Sequence, residues 1–264
     1  MSVRVVAGHD LRRIRRSRGL VGLVVVSLVV FVGGYLIGGL LGSGQDPASV
    51  VRVRLLAIWL VAGPTVGFVA TVVGAAGLAG EREARTLRLL ASLPLSRAQL
   101  VYGKTVARAG VITAAVTLGT FVSLTAVAAG TPVTSTGRLV GFAGFTLAVA
   151  VSYAAVGVAV STVVSADRVR AVAVGVFVAT LVWPRIMGFG VETFGSERIE
   201  LLCQFLGTLT PFGAYSQVVS DSGAVLAYEP TSAVLGSGVM ALVILAWTVG
   251  SLLVARHQFP KTAL

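Results

Sequence analysis

Few side chains in this chain can carry acid–base, nucleophilic or metal chemistry, and they are badly placed for it. There are two histidines, His9 and His257, and one cysteine, Cys203. A serine or cysteine nucleophile needs a base within hydrogen-bond reach, and a catalytic metal needs several converging ligands. Both histidines lie in basic segments near the ends of the sequence, and none of the ten carboxylates falls within a long apolar run. One cysteine excludes an intrachain disulfide framework and a Cys-rich metal site. Gly103-Lys104-Thr105 ends like a phosphate-binding loop, but such a loop needs an earlier glycine where this chain has Ala98, and it should follow a strand. No catalytic, cofactor-binding or metal-ligating residue is expected.

The densest polar chemistry lies in residues 79–104, "AGEREARTLRLLASLPLSRAQLVYGK", which hold two acids and five bases between two walls of Val, Ala, Leu and Gly. On a helical wheel, residues 81–93 separate into two faces. Arg82, Arg85, Arg88 and Ser92 share one side, and Thr86, Leu89, Leu90 and Leu93 the other. Glu81 precedes Arg85 by four residues, the favourable order for a helical ion pair. Pro94 stops the helix, because the residue before a proline is pushed out of helical conformation. A second helix then starts with Ser96 as N-cap and Gln99 at the capping-box position, carrying Arg97, Lys104 and Arg108 on one side. Two readings are open: a solvated connector, or a surface on which a partner docks.

The elements that must position this segment are membrane helices. Only 12% of the 264 residues are charged and 56% are hydrophobic, against about 25% charged in soluble domains. Six apolar runs, at about 19–41, 55–79, 105–130, 139–164, 169–187 and 233–255, reach or approach the roughly 20 residues that cross a bilayer as a helix. They are too long and too uniformly apolar for barrel strands. The first is too long for a cleaved signal core, and no small-residue cleavage site follows it. The fold class is therefore all-α: a single polytopic domain over 1–264. With the N-terminus inside, sixteen of twenty-one bases and four acids fall on the inner side, a balance of +12. Five bases and six acids fall outside, a balance of −1. This Lys/Arg bias sets orientation, so both termini are expected in the cytoplasm. The net charge of +11 reads as orientation, with no nucleic-acid partner implied.

The N-terminal "HDLRRIRRSRGL" carries Arg12, Arg13, Arg15 and Arg16, with Asp10 as an expected helix cap. It is either a topology anchor or a helix lying in the plane of an anionic leaflet. Gly34/Gly38, Gly63/Gly67 and Gly137/Gly141 have the spacing that lets membrane helices approach closely, a pattern that 32 glycines also generate by chance. Pro64 and Pro184 are expected to kink or break the second and fifth spans. Segment 188–232 is expected outside. Its apolar stretch 199–219, interrupted by Pro211 and Gly213, reads as a re-entrant or interfacial hairpin, because a seventh crossing would put Arg256 and Lys261 outside.

The run Glu81, Glu83, Thr86, Leu87, Leu90, Ser92, Leu93, Pro94, Ser96, Arg97, Gly103, Lys104 resembles the cytoplasmic segment after the second span of type-2 ABC transporter permeases. "LTPFGAYSQ", residues 209–217, resembles that family's proline-plus-aromatic segment before the last span. Arg85 stands where the family often has glycine. The resemblance implies a permease subunit, exporting in direction, that pairs with a second permease copy or homologue and with separate cytoplasmic ATPases. Those ATPases, not this chain, would use ATP and Mg. It implies further that residues 81–93 form a coupling helix. Glu81, Arg82, Glu83, Arg85, Thr86, Leu87, Leu90, Leu93 and Pro94 would then face the ATPase, and Arg12, Arg13, Arg15 and Arg16 would form the interfacial elbow. The rivals are an intramembrane enzyme, disfavoured by the placement of the histidines; an ion-coupled transporter, disfavoured by the lack of carboxylates in the spans; and a scaffold, which needs no reactive groups. Scattered Ser, Thr and Tyr153 are the only polar lining the spans offer, which favours a hydrophobic or amphipathic cargo.

Overall fold

The computed structural model describes residues 7, 8, 10–12, 18–83, 97–130, 136–194, 197–221 and 236–262, and among them every regular element is a helix. In chain order these are α1 (Arg18–Leu41), α2 (Pro47–Glu83), α3 (Arg97–Ala129), α4 (Thr136–Val163), α5 (Val169–Phe194), α6 (Glu197–Thr208), α7 (Pro211–Asp221) and α8 (Ser237–Thr262). Six are long and apolar enough to cross a membrane: Gly19–Leu41, Ser49–Ala76, Val101–Ala129, Thr136–Val163, Val169–Phe189 and Ser237–Gln258. The chain is an all-α polytopic membrane protein.

The second span starts earlier than its apolar run suggests, and the cause is local. Asp46 accepts the Ser49 N–H at 3.1 Å, and Pro47 occupies the first helical position, where no N–H is needed. The Ser49 hydrogen bonds, with a smaller push from Arg52, hold the Asp46 carboxyl below the ordinary carboxylate range. Starting the helix there carries Arg54 into the span. Its guanidinium lies 4.8 Å over the Tyr35 ring, a cation–π contact. Gly130 makes room for it, since a Cβ there would stand 2.9 Å from Nη1.

Lipid tails are as apolar as leucine, so helices in a membrane associate by close packing and hydrogen bonds, not by the hydrophobic effect. The glycines show this directly. A Cβ on Gly34 would stand 2.7 Å from the Ile58 Cα, and one on Gly38 would stand 2.5 Å from the Arg54 Cα, so α1 and α2 cross backbone to backbone. Gly74 faces the Ala154 carbonyl and Gly157 the Thr71 carbonyl, which locks α2 to α4. Gly119 faces Ser27 and Phe31, where the Ser27 hydroxyl donates to the Ala115 carbonyl at 2.8 Å and ties α1 to α3. Helices α2, α3 and α4 form the interior of the bundle, and α1, α5 and α8 are its most exposed spans. Of the three glycine pairs singled out above, Gly63/Gly67 packs aromatic rings instead of backbone, and Gly137/Gly141 faces open space. Pro64 and Pro184 break neither helix, contrary to the stronger form of the expectation. The carbonyl that Pro184 leaves free, that of Thr180, accepts the Thr210 hydroxyl at 3.1 Å instead.

Candidate functional site: an ion-pair latch and a re-entrant hairpin

Two polar constellations stand out, one at each end of the bundle. At the end where α3 begins, Asp10 comes into contact with two bases of that helix. Its carboxylate lies 3.7 Å from the Lys104 Nζ and 3.3 Å from the Arg108 Nε. The side chains of Asp10 and Lys104 are only 5% and 4% exposed. Arg108 also reaches the Val73 carbonyl of α2 at 3.5 Å. Three parts of the chain therefore meet here: the N-terminal stretch, the start of α3 and the last third of α2. Asp10 was expected to cap a helix. It lies instead within a helical stretch, with residues 7 and 8 before it, and its carboxylate serves as a buried counter-ion. Its pairing with Lys104 and Arg108 has no signal in sequence spacing, since more than ninety positions intervene.

At the other end, α6 and α7 form a hairpin that folds back into the bundle. Their 12 and 11 residues give about 17 Å each at 1.5 Å per residue, so neither helix is long enough to cross a bilayer by itself. The turn between them, Leu209–Thr210, lies beside Trp247 and Thr180. These stand ten and eleven residues into their own spans, about 15 Å deep and near the middle of a 30 Å hydrocarbon core. Exposed backbone at that depth has no water to bond, and it survives only where protein groups satisfy it. Here indoles do so: Trp183 Nε1–H donates to the Leu206 carbonyl at 2.7 Å and Trp247 Nε1–H to the Leu209 carbonyl at 2.6 Å. Thr210 Oγ1 accepts the Gly213 N–H at 3.0 Å and donates to the Thr180 carbonyl at 3.1 Å, capping α7. Gly213 sits directly on the Gly207 carbonyl, where no other residue would fit.

Side chains then fasten the hairpin to the bundle. Tyr215, fully buried, shares a 2.7 Å hydrogen bond with Thr146 of α4, and Phe212 stacks on Trp59 of α2 with ring centroids 5.9 Å apart. Tyr153 and Thr180 are joined at 2.9 Å just beneath. All three tryptophans of the chain thus touch the hairpin or its turn. The proline-plus-aromatic segment 209–217 is the turn and first two turns of α7.

Of the residues expected to face a partner, Glu81, Arg82 and Glu83 are the last of α2. Arg85, Thr86, Leu87, Leu90, Leu93 and Pro94 lie outside the described residues, as do Arg13, Arg15 and Arg16 of the elbow. Arg12 is exposed. Helix α3 is described from Arg97 on, and Ser96, its expected cap, lies outside the described residues. Residues 98–105 are helical throughout, and the Thr105 hydroxyl donates to the Val101 carbonyl at 2.9 Å, so Gly103-Lys104-Thr105 is not a phosphate-cradling loop.

Residues 4–264 match the ABC-2 family transporter protein family, so the chain belongs to it. No curated protein matches the chain.

Proposed function

We propose that this ABC-2 family transporter protein, a membrane permease subunit of an ABC transporter, works as an exporter. In this reading it pairs with a second copy or homologue and is driven by separate cytoplasmic ATPases, which bind the ATP and Mg. It lies in the cell membrane with both termini in the cytoplasm, as the Lys/Arg bias favours. Segment 81–93 docks on the ATPase through Glu81, Arg82, Glu83, Arg85, Thr86, Leu87, Leu90, Leu93 and Pro94, and the basic elbow at Arg12, Arg13, Arg15 and Arg16 rests on the inner leaflet.

The observation that carries this reading is the latch. Asp10, Lys104 and Arg108 bind the N-terminal stretch to the helix that leaves the docking segment, and Arg108 also touches α2, the helix that enters it. A force applied at the docking segment would move these parts together. To shift the transport cycle, the ATPase must favour one permease state over another, and a joined set of helix ends gives it something rigid to grip.

The test is purification of the tagged protein from its native membranes in mild detergent with nucleotide trapped. A stoichiometric ATPase subunit should co-elute, and Glu83→Arg should lose it or should uncouple ATP hydrolysis from transport. A protein that elutes alone under those conditions, or coupled transport that is normal in Glu83→Arg, contradicts the proposal. The first result would favour a scaffold.

A further inference from the structure

Arg54 lies near the start of the span Ser49–Ala76, and its side chain reaches the end of α1. Its guanidinium stands between the Tyr35 ring, Gly39 and Gly130. Nε and Nη1 are both buried, and neither has a hydrogen-bond acceptor. Among the described residues no carboxylate pairs with Arg54. A guanidinium keeps its charge in any protein, and a buried donor without an acceptor is costlier for a charged group than for a neutral one. The Tyr35 ring and the C-terminal ends of α1 and α3 favour the positive charge. They leave Nε and Nη1 without acceptors all the same.

The space beside Gly39 is where an acceptor can come from. Outside its own stretch of α1, a Cβ on Gly39 would meet only Nη2 and Nε of Arg54 within 4 Å, at 3.7 and 3.8 Å. The glycine thus lies beside the Nε–Nη2 edge, the fork with which arginine takes two oxygens of one carboxylate or phosphate. Depth narrows the choice. Gly39 is two residues from the end of the span Gly19–Leu41, and 23 residues at 1.5 Å each slightly exceed a hydrocarbon core of about 30 Å. The site is therefore at headgroup level. Leu36, Ile37, Leu40 and Leu41 around it are exposed, so this end of α1 is open to lipid, whose headgroups carry phosphate.

We propose that Arg54 and Gly39 form a phosphate-binding site at the end of the bundle opposite the latch. A phosphate oxyanion lies beside Gly39 and accepts from Nη2 and, along the same edge, from Nε. The phosphate of a lipid headgroup and free phosphate offer the fork the same oxygens. The proposed orientation decides only that the leaflet is the outer one. The site rests neither on it nor on the ATPase pairing.

The full chain, stripped of lipid in a phosphorus-free nonionic detergent, is titrated with phosphatidylglycerol and with the diacylglycerol of the same chains. Bound molecules are counted by native mass spectrometry. The first phosphatidylglycerol should bind about tenfold more tightly than diacylglycerol, and Arg54→Gln should weaken it about tenfold, the loss of one charge-assisted pair. Arg52→Gln, which removes the same charge from an exposed position, should stay within about twofold of wild type. Gly39→Leu should block the site with Arg54 in place, since its Cβ would make only ordinary contacts. Circular dichroism checks that each variant is folded, and either folded variant decides the matter. Inorganic phosphate then separates the sources: displacement of the lipid identifies the phosphate group alone as the ligand, and retention identifies the headgroup with its chains. Equal binding of phosphatidylglycerol by wild type and Arg54→Gln overturns the proposal, as does a folded Gly39→Leu that binds it like wild type. Equal binding of phosphatidylglycerol and diacylglycerol overturns it as well.

Discussion

Asp10→Asn isolates the charge of the latch, because asparagine has nearly the same shape and keeps an oxygen acceptor. In the wild type, the carboxylate faces Lys104 at 3.7 Å and Arg108 at 3.3 Å, with side-chain exposures of 5%, 4% and 18% for Asp10, Lys104 and Arg108. Two unit charges 4 Å apart attract by about 4 kcal/mol at an effective dielectric of 20. Removing one partner of a buried pair typically costs about 3–5 kcal/mol, because the other charge is left without compensation. Arg108, the more exposed base, can turn to water. Lys104 cannot do so without moving the helix, so most of the loss falls on the Asp10–Lys104 pair.

The protein has a cheaper response than unfolding, which is to release the N-terminal stretch and let water reach Lys104. The cost then appears as local opening, and the bundle melts almost as before. Hydrogen exchange of a peptide covering residues 7–12, followed by mass spectrometry on the full chain in nanodiscs, reads that opening. A loss of about 3 kcal/mol corresponds to exchange faster by a factor of roughly 150. Adding Lys104→Met to Asp10→Asn should cost less than the two single losses together, because the pair they share can be lost only once. Exchange in Asp10→Asn within about twofold of wild type would refute the reasoning. A double variant whose protection equals the sum of two independent losses would do the same.

Three further outcomes follow from the packing. Trp247→Phe leaves the Leu209 turn carbonyl at mid-bilayer depth without its donor and should lower stability by about 1–3 kcal/mol; Trp183→Phe should cost less, because the Leu206 carbonyl keeps the Leu209 N–H at 3.2 Å; Trp59→Phe, which keeps the stack on Phe212, should be close to neutral, all three read as thermal midpoints in one lipid. Tyr215→Phe strands the Thr146 hydroxyl only partly, since Thr146 also donates to the Phe142 carbonyl at 2.7 Å, so a loss of about 1 kcal/mol is expected in the same assay. Gly157→Val should prevent accumulation of folded protein, because its side chain would occupy the place of the Thr71 carbonyl, whereas Gly141→Val meets nothing within 4 Å and should express at the wild-type level.

The sequence shows the membrane helices because each must satisfy its own backbone and be apolar over a bilayer's thickness, a local requirement that leaves a local trace. It shows the break at Leu209–Thr210 for the same reason, since Pro211 and Gly213 interrupt an otherwise apolar stretch. It does not show which glycine pair makes a crossing. Gly34/Gly38 and Gly137/Gly141 read alike, and only the position of α2 beside α1 separates them. Asp10 was legible as a cap and proved to be a counter-ion, because a cap is a four-residue pattern and a counter-ion is a fact of tertiary packing. The tryptophans were silent for a related reason. A Trp in a membrane span ordinarily marks an interface, and nothing in its neighbours says that its N–H will be given to a carbonyl 23 or 38 positions away.

These observations bear on how an event at one end of the bundle can reach the other. The latch and the hairpin share one helix: α2 receives Arg108 at Val73, runs on to Glu83, and at its other end carries Trp59 against Phe212 and Gly63 against Tyr215. Its 37 residues make a rod of about 55 Å. The crossing at Gly74 and Gly157 pins it to α4 near the latch, with no side chain on either glycine to act as a bearing. A rod held there turns small displacements of the Glu83 end into larger ones at Trp59, because the arm toward the hairpin is the longer. Tightly packed contacts have few intermediate positions, so motion at that end must either carry the hairpin with it or break the Trp59–Phe212 stack. Cross-linking the arm to the hairpin distinguishes the two: a disulfide between cysteines placed at Gly63 and Tyr215 should leave transport intact if the hairpin travels with α2, and should abolish it if α2 slides past.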